Sequence, residues 1–118
     1  MPATALTVFP SNHVSGLDYT ANAEAADGAN GNRFQNSGAQ TLVVINAGAS
    51  SCIVTKVYGP GAVFDGTTPS SPTVSVPAGH TMELGPFPPG LYNDANGFAN
   101  FIFNQVTGVS LLARILGT

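Results

Sequence analysis

Three observations predict an all-β fold. Between residues 32 and 116 apolar side chains recur with a period of two. Turn signals interrupt them about every 8–12 residues, and no stretch holds a helical period. The class is a small antiparallel β-sandwich or jelly-roll-like barrel with an extended N-terminal arm. The arm is residues 1–31 and the sandwich domain residues 32–118.

The arm starts with an alternating piece, Leu6-Thr7-Val8-Phe9, stopped by Pro10. Small and polar residues follow, with a brief helical turn predicted over Ala21 to Ala26 and ended by Asp27-Gly28. So few apolar side chains cannot offset the entropy of ordering, so the arm must lie on its own domain or on a neighbour. From residue 32 the punctuation becomes regular. Arg33-Phe34-Gln35 is a short strand, and Thr41 to Ala47 is β-branched and apolar on both faces, as in a central strand. Cys52 to Tyr58 alternates, with Ile53, Thr55 and Val57 opposite Lys56 and Tyr58, and Ala62-Val63-Phe64 is a short further piece.

Thr73 to Tyr92 is the stretch around which the rest is arranged. Val74 and Val76 alternate before Pro77-Ala78-Gly79-His80, and Met82 and Leu84 alternate after it, which predicts a β-hairpin with one buried face. Gly85-Pro86-Phe87-Pro88-Pro89-Gly90 loses N–H donors at its prolines, so it is read as a rigid, non-helical crossover between sheets. Phe98 to Gln105 then sets Phe101 and Phe103 on one face. In Val109 to Leu116, Val109, Leu111, Ala113 and Ile115 oppose Leu112, Arg114 and Leu116. Apolar on both faces, this last strand is central or covered by another chain.

Composition bounds the function. Charged residues are 8% of the 118, against about 25% in ordinary domains. Hydrophobic content is an unremarkable 43%, so Gly, Ser, Thr, Asn and Ala stand in for the missing charge. Such a domain either hides much of its surface against partners or keeps a neutral polar skin. A net charge of −3 provides no footprint for nucleic acid. No apolar run approaches the ~20 residues that span a membrane, and the N-terminus has no secretory pattern. Synthesis in the cytoplasm is expected.

The residues that could carry chemistry have plainer readings. His13 and His80 sit in separate Pro- or Gly-flanked loops, and Glu83 at three positions past His80 does not by itself make a site. Asp27, Asp65 and Asp94 lie at or near Gly turns and match no calcium-loop spacing. Cys52, the only cysteine, has no base near it in sequence. No nucleophile elbow or oriented histidine appears. No catalytic residue, metal or cofactor is therefore expected, and the chain is read as a non-enzyme.

The phrases NAGASSCIVTKV, TVSVPAGHTMELGPFPPGLY and VSLLARIL, in this order, resemble small β-sandwich head decoration (cement) proteins of tailed bacteriophages, over roughly residues 32 to 116. The VPAGHT and GPFPP elements carry the likeness. It implies a homotrimer bound to the major capsid protein on the outer surface of the virion, with no nucleic-acid or membrane partner. The alternative is a glycan- or host-surface-binding β module carried on a virion. Candidate subunit or capsid contacts are the arm residues Leu6, Val8 and Phe9, then Phe87, Tyr92, Leu112 and Leu116. Phe87 is either a lid on the sandwich or an anchor for a second subunit. Tyr58 and Tyr92 are the aromatics a sugar platform would draw on.

Overall fold

The computed structural model describes residues 3–11, 16–63, 66–67 and 69–115. Their elements are β1 (Thr4–Ala5), β2 (Val8–Pro10), α1 (Tyr19–Asn22), β3 (Glu24–Ala25), β4 (Asn32–Gln35), β5 (Gln40–Asn46), β6 (Cys52–Val57), β7 (Thr73–Val76), β8 (Thr81–Leu84), α2 (Pro89–Tyr92), β9 (Phe98–Phe103) and β10 (Val109–Ile115). One sheet has the order β1-β4-β9-β6-β7. The other has the order β2-β10-β5-β8, with β3 also on β10. The two pack face to face, so the fold is the expected sandwich.

The core comes from the inward positions of both sheets. Phe34, Cys52, Val54, Val76, Ala99, Phe101 and Phe103 face Leu42, Val44, Leu84, Val109, Leu111 and Ala113. The alternation predicted for β9 and β10 is the one observed, and β10 is central, paired with β5 along its whole length.

Five features differ from the sequence-based expectation. The sheets are mixed rather than purely antiparallel, because β1 joins β4 and β2 joins β10 in parallel. The predicted hairpin does not form: β7 pairs β6 in the first sheet, while β8 pairs β5 in the second. Backbone groups of the link between them are spent on the end of β5. Gly79 N–H donates to Asn46 O at 2.8 Å, and Asn46 N–H donates to His80 O at 3.0 Å. The chain therefore changes sheet at Pro77–His80 as well as at the later crossover. That crossover is not wholly non-helical, since α2 begins at Pro89; proline is tolerated where a helix N–H has no partner anyway. The helical turn of the arm comes earlier than expected, at α1, where the Asp18 carboxylate caps Ala21 N–H at 3.1 Å. Ala62 is fully buried and Val63 half-exposed, but neither is in a strand; Phe64 lies outside the described residues.

Buried asparagines fix the loops to this frame. Asn36 donates both amide hydrogens, to Phe87 O at 2.9 Å and Asn93 Oδ1 at 2.7 Å, and Asn93 donates back to Asn36 O at 2.8 Å. Asn46 donates to Ser50 O at 2.8 Å and Val76 O at 3.0 Å, while accepting Gly48 N–H at 3.1 Å. Asn32 accepts Asp27 N–H at 2.8 Å and donates to Thr4 O at 3.4 Å. Fully satisfied, these amides escape the penalty of about 1–3 kcal/mol for a buried unpaired polar group.

Candidate interaction surface

Most polar groups with chemical potential are already engaged in structural tasks. The Asp27 carboxylate accepts the Thr4 hydroxyl at 2.5 Å and the N–H groups of Ala29 and Asn30 at 3.0 and 3.1 Å. The Thr4 hydroxyl is the main reason its pKa lies below the ordinary carboxylate value. At Asp94 burial pushes the carboxyl upward. The N–H groups of Phe98 and Asn96, the Asn100 amide and the Arg33 charge outweigh it, leaving the pKa lowered. The Cys52 thiol is inside the core and donates to Gln105 O at 3.3 Å, and burial pushes its pKa up. His80 is exposed in the link before β8, whereas Glu83 bonds the guanidinium of Arg114 through Nε at 2.6 Å. His13 and Asp65 lie outside the described residues. Among the described residues no group of three or more His, Cys, Asp or Glu is gathered as a metal site. Nor, among the described residues, is any helix long and apolar enough to cross a membrane.

The candidate contact residues fall in different places. Phe87 is 2% exposed, packed edge-on to Phe101 at 5.1 Å and Tyr92 at 5.5 Å between ring centroids. It is a lid on the core, not an anchor offered to another chain. Leu6 is buried in the core cluster, and Val8 and Tyr92 pack against that cluster half-buried. Burial, followed by the neighbouring Tyr58, raises the Tyr92 pKa. Phe9 is half-buried, opposite Arg114 in the parallel β2–β10 register. Leu112 is fully buried, opposite Val43 on the outer side of its sheet. Leu116 lies outside the described residues. Leu6, Phe87 and Leu112 thus present no surface to a partner in this fold.

What remains open is a face absent from the sequence-based candidates. The outward positions of the first sheet are Arg33 and Gln35 on β4, Phe98, Asn100 and Ile102 on β9, Ile53, Thr55 and Val57 on β6, and Thr73 and Ser75 on β7. Ile53 is 42% and Ile102 51% exposed, the most open large apolar residues in any described strand. Arg33, the one charged residue at these outward positions, lies over the Phe98 ring, 4.2 Å from guanidinium carbon to centroid. Its Nε is buried without a hydrogen-bond acceptor, so the ring face is what compensates it. A signal existed in the sequence: Ile53, Thr55 and Val57 share one face of their strand, and the buried face proved to be that of Cys52 and Val54. No family model, curated protein or solved structure matches this chain.

Proposed function

We propose that this chain is a decoration, or cement, protein of a tailed-bacteriophage head. In this reading it binds the outer surface of the shell as a homotrimer and ties neighbouring copies of the major capsid protein together. The resemblance of VPAGHT, GPFPP and the closing VSLLARIL to such proteins motivates it. The observation that carries it is the first sheet's outer face, where Ile53 and Ile102 stand exposed among Thr55, Thr73 and Ser75, with Arg33 over the Phe98 ring and the Asp94 carboxylate held by Asn100 at its margin. A face of this kind gains from being covered, because its hydroxyls and amides cost less to desolvate than charges. Cement action then follows from multivalency. A trimer touching several shell subunits makes each further contact intramolecular, so modest interfaces hold together. No side chain in this role needs to do chemistry.

The test uses heads of the encoding phage assembled without this protein. Purified chain mixed with expanded heads should sediment with them and saturate, and decorated heads should survive heating that opens bare ones. The double variant Ile53→Asp, Ile102→Asp should melt near the wild-type temperature yet bind at least about tenfold more weakly, as buried unpaired charges at an interface do. A wild-type chain that stays in the supernatant would overturn the assignment.

A further inference from the structure

We propose that the outer face of the second sheet carries a site for one neutral sugar ring, built from Thr41, Glu83, Arg114, Gly85 and Pro86. These residues, with Ala39, line a depression of about 310 Å³. That is the low end of the size range of ligand pockets and the scale of a single hexose.

The polar floor is pre-set. Arg114 donates through Nε to Glu83 Oε2 at 2.6 Å, and the Thr41 hydroxyl donates to the same oxygen at 2.7 Å. Both bonds fall on one carboxylate oxygen. Glu83 Oε1 and the terminal nitrogens of Arg114 make no hydrogen bond among the described residues. An acceptor and a forked donor therefore stand side by side, unspent. The Arg114 side chain is only 17% exposed and Glu83 41%, so the donor is held while the acceptor faces outward.

Charge selects the ligand. A carboxylate reaching the guanidinium would also meet the Glu83 charge, and an ammonium reaching Oε1 would meet Arg114. At about 5 Å and an effective dielectric of about 20 each such term is about 3 kcal/mol, so attraction and repulsion offset one another. A neutral pair of adjacent hydroxyls pays no such penalty, with one donating to Oε1 and the other accepting from a terminal guanidinium nitrogen.

The wall suits the C–H face of a ring. Pro86 is exposed over the core lid, and Gly85 has φ +107°, where a Cβ would come 2.7 Å from the Phe87 ring. The turn therefore packs directly against the buried Phe87 ring. With one proline and no aromatic platform, affinity should be millimolar, about −4 kcal/mol. The site lies on the opposite sheet from the proposed shell-binding face and does not depend on that reading.

The experiment is an amide-resolved NMR titration of the full chain with methyl α-D-mannopyranoside and methyl β-D-galactopyranoside, with acetate and methylammonium as charged probes. At least one hexoside should give saturable shifts at Thr41, Glu83, Gly85 and Arg114, and neither ion should. Glu83→Gln should weaken the response about tenfold. Thr41→Val, which leaves the ion pair intact but frees its shared oxygen, should change it less. The proposal fails if neither hexoside saturates by about 100 mM, if acetate or methylammonium binds better, or if Glu83→Gln responds like wild type.

Discussion

The outer faces of the two sheets are built from similar residues and end in opposite states. On the second sheet Val43 and Leu112, opposite one another in register, are 1% and 0% exposed. On the first sheet Ile53 and Ile102 are 42% and 51% exposed. Both pairs sit on interior strands, so strand position alone does not separate them. The arm also divides unequally between the two sheets. β10 has β5 along one edge, while β2 and β3 of the arm share the other. β1 is the arm's one contribution to the first sheet, on its edge strand β4. An apolar outward residue is buried within the fold in one sheet and left exposed in the other.

The largest effect should come from the layer both sheets share. Phe87→Ala removes a ring packed on Phe34, Phe101 and Tyr92, at 6.0, 5.1 and 5.5 Å between centroids. It should cost about 3–5 kcal/mol, as buried Phe truncations do, read by urea unfolding. A variant that melts normally but loses its oligomeric state would put Phe87 back at an interface. Next in size, Leu112→Ala should cost about 2–5 kcal/mol, while Ile102→Ala should stay within about 0.5 to 1 kcal/mol. Equal losses at the two positions would erase the distinction between the faces.

The arm sharpens the same comparison. Leu6 is 6% exposed within the core, and its N–H donates to Arg33 O at 2.7 Å. Leu6→Ala should cost about 2 kcal/mol and speed hydrogen exchange in β1 and β2 more than in β5. Unchanged exchange in β2 would show that the arm is held by its strand pairing and not by this one side chain.

Period-two patterning made the strands from β4 to β10 legible, and the double-faced apolar character of β10 marked it as central. Pattern alone could not decide which face of Cys52–Val57 turns inward, because each face carries apolar residues and burial depends on the facing sheet. The hairpin reading of residues 73–84 failed for a related reason. Local alternation around Gly79 cannot reveal that the link's backbone groups are used by Asn46, more than thirty positions away. Nothing local in the sequence ties Asn36, Asn46 and Asn93 to their partners at Phe87, Val76 and Asn36, which are set by the tertiary fold. The exposed face of Ile53 and Ile102 was not among the candidates, because those were drawn from the arm, the proline-rich crossover and the last strand, where Leu6, Phe87 and Leu112 turn out to be buried.

The smallest expected effect is electrostatic and belongs to the open sheet. Asp94 sits beside its outer face, holding the N–H groups of Asn96 and Phe98 at 2.8 and 3.1 Å and the Asn100 amide at 3.1 Å. Burial alone would raise its pKa, but these donors and Arg33 lower it below the ordinary value. The sign follows from proton linkage. A depressed carboxylate contributes stability above the unfolded aspartate pKa of about 3.9, and that contribution is lost as pH falls through the folded value. Asp27, lowered mainly by Thr4, adds to the same acid limb from the arm. Asp94→Asn keeps the side-chain size but cannot titrate, so the fall in melting temperature below about pH 4 should be shallower than in wild type. Arg33→Gln should shift that limb less than Asp94→Asn, since Arg33 is the last and smallest of the influences on Asp94. An acid limb unchanged in Asp94→Asn would place the acid sensitivity in the arm, and with it the weaker of the two attachments.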